Sequence, residues 1–295
     1  MIDNKIKPLL AVVELGSYTK AAEKLNLTQP AVSHHIHQME QEFEIKIFYK
    51  DKKQLKITPE GAILVKYARR MMAIYHNAQQ AIQDSRKEIK RLVIGITQTA
   101  GEYLIPQVLA IYCDQHPHTH INIFTDTIQS LYERLKSYEL DMAIVEGSNP
   151  MPGLTRVLLD TDYLCLAVSP KHRLAHRSSV SLHELKDEKF ILRSANAGTR
   201  QLFEGYLASH AQSLDNFNVV IEIDNVATIK ELVATNLGLT VISHSACREE
   251  EQSGRLAVIP IENSSMVREI NMVHQPDFSH TEMLEDIRRI YNTIR

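Results

Sequence analysis

Three cysteines in 295 residues, Cys113, Cys165 and Cys247, are too few and too widely spaced for a disulfide framework or a zinc pattern. They are expected to be reduced thiols, at least two of them buried. The sharper alternative is a redox-responsive protein whose cysteines oxidise, although neither pairing nor a lowered pKa is visible in the sequence. No run approaches the ~18 apolar residues of a membrane span. The opening stretch MIDNKIKPLLAVVEL makes a poor signal peptide, because its apolar run is short, Glu14 interrupts it and no small-residue cleavage site follows. A cytoplasmic chain without a membrane partner is expected. Catalytic signatures are missing too: there is no HExxH, GxSxG, Walker loop or GxGxxG, and no tight Cys/His/Asp cluster. The 14 histidines are scattered, and His116, His118 and His120 fall in a polar loop where solvation is favoured over metal binding. The expectation is therefore no enzyme, no metal and no cofactor.

What is present is a chain long enough for two or three compact units, with 44% hydrophobic residues to build their cores. The net charge of −3 conceals an asymmetry. Residues 1–91 carry 16 Lys and Arg against 10 Asp and Glu, whereas the remainder carries 17 against 26. A basic head on an acidic body suggests that only the head meets a polyanion.

The head has helical periodicity at Ile6, Leu9, Leu10 and Val13, stopped by Gly16. Ser17 is placed to cap a second helix, SYTKAAEKLN, whose Thr19, Ala21 and Ala22 keep one face small, with Leu25 and Leu27 closing it. Thr28 then caps a third helix with Pro30 in its first turn. Ala31, Val32, Ile36 and Met39 form its inner stripe, and Gln29, Ser33, His34, His35, His37 and Gln38 lie outside. Two short helices joined this tightly make a helix-turn-helix, which presents its second helix to the DNA major groove. An ordinary surface helix would have the same periodicity. Two extended runs around Lys50-Asp51-Lys52-Lys53-Gln54 read as a hairpin with a basic tip suited to phosphate, or as a solubilising turn. Thr58 and Pro59 then open a long helix reaching about Ile89, apolar at Ile63, Leu64, Tyr67, Met71, Ile74, Tyr75, Ala78 and Ile82. A helix so one-sided needs a partner, and a second copy is the natural one.

The segment ELGSYTKAAEKLNLTQPAVSHHIHQME, followed by Ile47-Phe48 and LKITPEG, closely resembles the LysR-type transcriptional regulators. The run AAEKLNLTQPAVS is highly specific to that family, and the motif-level likeness covers roughly the first quarter of the chain. The resemblance implies a winged helix-turn-helix, a dimerising linker helix and an effector domain folded like a type 2 periplasmic binding protein. It implies a homodimer or homotetramer on double-stranded DNA, with RNA polymerase as a further partner. It places Gln29, Pro30, Ser33 and His34 nearest the DNA, with Lys50, Lys52 and Lys53 at the wing. Ser17, Thr19, Thr28 and His35 complete the candidate DNA-binding set. The chain departs from the family where arginine is usual near His34 and Lys50, and no arginine precedes Arg69. Bidentate reading of guanine by arginine is therefore missing from this head. Glu44 replaces a usual glycine and loses its left-handed freedom.

Beyond Arg91 strands and helices alternate. LVIGIT, a helix from GEYLIPQVLAIYCDQHP, HINIFTD, a helix from IQSLYERLKSYEL, and DMAIV form a βαβαβ pattern that marks a parallel sheet. A second unit has strands YLCLAVS, KFILRS, NVVIEID and LGLTVIS with helices near 199–209 and 227–236, and a last strand and helix complete the chain. The expected fold class is α/β. An all-α winged head occupies 1–58, a linker helix 59–90 and a two-subdomain effector domain 91–295. Subdomain one is 91–161 with 267–295 and subdomain two is 162–266, joined by hinge strands near 159–163 and 264–269. Ligands in such sheets bind beyond the carboxyl ends of strands. Two loops fit that place: Thr97, Gln98 and Thr99, and Ser194, Asn196, Gly198 and Thr199. Each could merely cap its helix, but two such loops favour a site for a small, anionic effector. Asp126, Glu146 and Asn225 also follow strands, where loop duties are favoured. Arg193 and Arg200 flank the second loop and could meet an anion or a surface carboxylate. The rival functions are an enzyme, disfavoured by the missing motifs, and a transport solute-binding protein, disfavoured by the head.

Overall fold

A computed structural model describes residues 3–52, 54–102, 104–147, 151–264 and 266–295, with backbone alone for 3 and 4. The chain forms two compact units. The first runs to Ile89 and the second from Lys90 to Arg295, apart from Lys136–Glu139, which groups with the first. Among the described residues no helix is long and apolar enough to cross a membrane.

In the first unit, α1 (Asp3–Leu15), α2 (Tyr18–Leu25) and α3 (Gln29–Glu42) pack on one another. Ala11, Val12, Ala21, Ala22 and Val32 form one small core, and Ile6, Leu9, Ile36, Met39 and Ile47 form another with the long helix. The two alanines let α2 approach closely; Thr19 does not share that role, because it is exposed on the outer side, and Leu27 also faces solvent. The wing pairs β1 (Phe48–Asp51) with β2 (Gln54–Ile57) in antiparallel register, Phe48 opposite Ile57 and Asp51 opposite Gln54. Helix α4 (Pro59–Ser85) follows. It stops short of the expected Ile89 because Glu88 turns left-handed (φ 55°) and the Ile89 amide folds back onto the Asp84 carbonyl at 3.0 Å. No glycine or proline marks that end in the sequence.

The second unit opens with β3 (Lys90–Ile96), α5 (Gln98–Gly101), α6 (Leu104–Gln115), β4 (Thr119–Thr125), α7 (Ile128–Lys136) and β5 (Met142–Glu146). The single helix expected after β3 is thus two, the short α5 ending at Gly101. Strand β6 (Thr155–Val168) leads to β7 (Lys189–Leu192), α8 (Gly198–Ser209), β8 (Asn218–Glu222), α9 (Val226–Ala234), β9 (Thr240–Ser243), α10 (His244–Gln252) and β10 (Ala257–Ile259). Strand β11 (Val267–His274) and α11 (Thr281–Ile294) finish the unit. Strand β3 pairs in parallel with β4 and β5, and β11 runs antiparallel between β5 and β6.

Two cores result. Leu92, Ile94, Tyr112, Leu159, Met272 and Tyr291 belong to one; Leu164, Leu166, Phe190, Phe203 and Met266 belong to the other. The fourteen-residue β6 passes from the first core to the second between Leu159 and Leu164, and β11 returns the chain between Met266 and Ile270. Two strands crossing side by side make a two-lobed unit with its connection at Asp160–Tyr163 and Val267–Ile270. The parallel pairing expected of the first three strands is present, and the crossing strands β6 and β11 add antiparallel pairs beside it.

Candidate functional site

The exposed face of the first unit is fixed by capping. The Ser17 hydroxyl accepts from the Lys20 amide at 3.3 Å, Thr28 from Ala31 at 3.3 Å and Thr58 from Gly61 at 2.9 Å. Each cap satisfies a donor that the helix cannot, and so sets where the helix begins. With the start of α3 fixed and Val32, Ile36 and Met39 buried, Gln29, Pro30 and His34 are exposed while Ser33 and His35 are half-buried. Ser17 is half-buried and occupied as a cap, and Thr19 and Thr28 are exposed on the same unit. Lys50 and Lys52 stand exposed on the wing, whose Asp51 pairs with Lys56 at 2.6 Å; Lys53 lies outside the described residues.

Glu40 ties the end of α3 to the wing. It accepts from the Ile47 amide at 2.9 Å and from Lys46 Nζ at 3.1 Å. Burial pushes its carboxyl pKa up, but the bonds from Ile47, Lys46 and His37 outweigh burial and leave it lowered. Just beyond, Glu44 adopts the left-handed conformation (φ 53°) that glycine would occupy without strain. The Ile45 amide reaches the Glu40 carbonyl at 3.0 Å, the bond that closes a Schellman turn. The expected loss of that conformation does not occur: the turn forms with a glutamate in it.

In the second unit all seven residues of the two candidate loops, Thr97, Gln98, Thr99, Ser194, Asn196, Gly198 and Thr199, line one recess of about 220 Å³. It shares Thr127, Ile128, Glu146, Asn196, Gly198 and Arg268 with a wider cleft of about 850 Å³ between the lobes. The loops differ in kind. Thr97 caps α5 through the Ala100 amide at 3.2 Å and donates to Glu146 at 2.7 Å. At the start of α8 the capping position falls to Ala197, and no side chain caps that helix. Ser194 bonds Asp224 instead, so the capping reading fails for the second loop. Asn225 does serve as a cap, for α9. Asp126 accepts from Ser130 at 2.6 Å and from the Thr127 amide at 2.7 Å.

Arg200 turns away from the recess and pairs with Glu204 at 2.6 Å and Glu222 at 3.2 Å. Arg193 does line it. Burial pushes the Arg193 guanidinium pKa down, Asp224 and Glu146 raise it again, and Arg268 lowers it. Sequence reasoning missed Arg268 and its cross-strand partner Asp162, both buried on the crossing strands. The available signal was an arginine at the start of a strand that leads back to the first lobe.

Cys165 and Cys247 lie side by side in the second lobe, Sγ to Sγ 3.9 Å, and both are buried. The hydrogen bond with Cys247 and then burial push the Cys165 thiol far up. Burial also raises Cys113. Among the described residues no three His, Cys, Asp or Glu side chains are grouped to hold a metal ion.

Known proteins share this layout. Residues 4–62 match the family model of bacterial regulatory helix-turn-helix proteins of the lysR family, and residues 85–292 match the LysR substrate binding domain. The HTH-type transcriptional regulator CysL of Bacillus subtilis (strain 168) is 30% identical over 281 residues, covering 95% of this chain and 93% of that protein. A probable RuBisCO transcriptional regulator of Emiliania huxleyi is 29% identical over 278 residues, covering 92% and 88%. Among solved structures, full-length CbnR complexed with its target DNA has a TM-score of 0.70 at 14% identity and covers 99% of both chains.

Proposed function

The chain belongs to the LysR family of DNA-binding transcriptional regulators, which are not enzymes, and on that premise we propose that a small molecule with an anionic group, bound between the two lobes, sets its activity at a promoter. The observation that carries this reading is the single recess lined by both loops, with the uncapped start of α8 and two arginines on its wall. Helix amides and guanidinium groups are the donors an anion needs.

DNA recognition is assigned to the start of α3, through Gln29, Ser33 and His34, with Lys50 and Lys52 holding phosphate. Self-association through α4 is supported by its unpartnered apolar stripe: Ile63, Tyr67, Ile74 and Ile82 are 59%, 54%, 48% and 58% exposed. Monomeric proteins seldom leave such a continuous stripe in water. Dimers on two half-sites, paired into tetramers, would then respond to closure of the lobes, and the outcome would be read by RNA polymerase. A ligand can bias this only by binding one arrangement more tightly. The redox alternative has the adjacent sulfurs in its favour and the suppressed Cys165 thiolate against it.

The test is retardation of the DNA upstream of the protein's own gene across a salt series, beside Ser33→Ala/His34→Ala. Loss of specific binding in the variant is expected, with a salt slope set by the phosphates neutralised. Unchanged, sequence-independent binding would refute the recognition assignment. Footprints that stay identical with every small molecule bound in the cleft would refute the effector reading.

A further inference from the structure

Two buried ionic groups on the cleft wall have hydrogen-bonding capacity that the described residues leave unused. Arg268 stands on β11 directly opposite Asp162 of β6, with its side chain only 5% exposed. Its Nη1 donates to the Thr199 hydroxyl at 3.3 Å. Nη2 lies 3.5 Å from Asp162, and among the described residues neither Nε nor Nη2 has a hydrogen-bond partner. Asp162 is already engaged by the Ser243 hydroxyl and by the amide and hydroxyl of Ser245.

Glu146, at the end of β5, is the converse case. It is a buried carboxylate whose two oxygens share one hydrogen-bond donor among the described residues, the Thr97 hydroxyl, at 2.7 and 2.8 Å. A carboxylate can accept about four such bonds. Both Glu146 and Arg268 line the wide cleft and the recess.

We propose that the ligand of this cleft is amphoteric: a compact acid whose oxyanion lies against Arg268 and the first amides of α8, and whose neighbouring amine or hydroxyl donates to Glu146. The inference rests on the effector reading above and narrows its chemistry to α-amino or α-hydroxy acids. A bare anion fits less well. The recess wall carries Asp126, Asp224 and Glu146 against Arg193 and Arg268. Asp126 already accepts from Ser130 and the Thr127 amide, and Asp224 is exposed to water, which leaves Glu146 as the buried acceptor facing a ligand. A bare cation fits no better, since it would meet the arginines and the positive end of α8. A ligand with both groups satisfies both walls, and one lacking either leaves a buried group unpaired, which is how polar sites discriminate most sharply.

The test uses the full chain and four probes of matched size: lactate, alanine, propionate, which lacks the donor, and ethylamine, which lacks the anion. Calorimetry at neutral pH is expected to show lactate or alanine binding about tenfold or more tighter than propionate, with no binding of ethylamine. The choice between lactate and alanine tells hydroxyl from amine. Glu146→Gln is expected to erase the advantage over propionate, and Arg268→Gln to abolish binding of every probe, with Arg268→Lys restoring part of it. Far-UV circular dichroism and the thermal midpoint of each variant establish that it is folded.

Equal binding of propionate, or an advantage that survives in Glu146→Gln, overturns the amphoteric assignment and leaves an anionic effector standing. No response to any probe up to millimolar concentration overturns it as well. A probe that binds as expected but leaves operator footprints unchanged sinks the effector reading and keeps the chemistry of the cleft.

Discussion

The DNA-reading unit and the cleft-bearing unit treat polar side chains in opposite ways. In the first, Ser17, Thr28 and Thr58 bond amides three residues away, and Gln29, His34, Lys50 and Lys52 stand in water. In the second, Thr97, Glu146, Asp162, Thr199 and Arg268 are buried, and each has a side-chain hydrogen bond to a residue 49 to 83 positions away. The lysines of a solvated face hold phosphate through charges that salt screens, so their contribution to affinity is large, adjustable and indifferent to sequence. Buried donors act in a low dielectric, where a missing partner is expensive and small differences between ligands are magnified. The contrast assigns affinity for a polyanion to one region and chemical discrimination to the other.

The largest expected effect tests the buried side of that contrast. Asp162→Ala would strip the Ser243 and Ser245 hydroxyls of an acceptor and leave Arg268 without its counter-ion. Removing one partner of a buried pair costs about 3–5 kcal/mol. Hydrogen exchange should show the loss across β6, β9 and β11, with protection in α1 to α3 unchanged. Asp162→Asn, which keeps an acceptor, should recover part of it. Equal loss of protection in both units would break the comparison, since the first unit would then depend on the second for its stability.

A smaller effect of opposite sign is expected at Glu44. Asn26, which ends α2 at φ 53°, tolerates that conformation through its short polar side chain, whereas Glu44 at the same φ does not. Glu44→Gly should stabilise the first unit by about 1 kcal/mol. The measurement is the urea midpoint of that unit followed by exchange of the α3 amides. No gain would mean that the Glu44 side chain makes up for its own strain.

These residues also show what was legible. The caps at Ser17, Thr28 and Thr58 are local: a hydroxyl and the amide it serves sit in one short window, so sequence pattern is enough to find them. The two cleft loops were legible for the same reason, each being a strand end followed by small hydroxyl residues. Arg268 and Asp162 were not, because they meet only after β6 and β11 cross. No local periodicity encodes that crossing. The left-handed Glu88 that ends α4 was hidden for another reason, since its residue type argues against its conformation.

The smallest expected effect concerns Glu40, the one residue of the exposed unit that behaves like the buried ones. Its folded carboxyl pKa is lowered, so its contribution is fully present above the ordinary range of about 4.3 and is lost as pH falls through the lowered value. Glu40→Gln retains an acceptor for the Ile47 amide but loses the charge that Lys46 meets. At pH 7 the variant should be less stable by up to about 1 kcal/mol, discounted for the exposure of Lys46. The difference should shrink toward zero as pH falls through the lowered value, where the native carboxyl is itself protonated. Urea midpoints at several pH values between 3 and 7 read this directly. A difference that stays constant with pH would mean that shape, not charge, fastens α3 to the wing, and the likeness of Glu40 to the buried groups of the second unit would then fail.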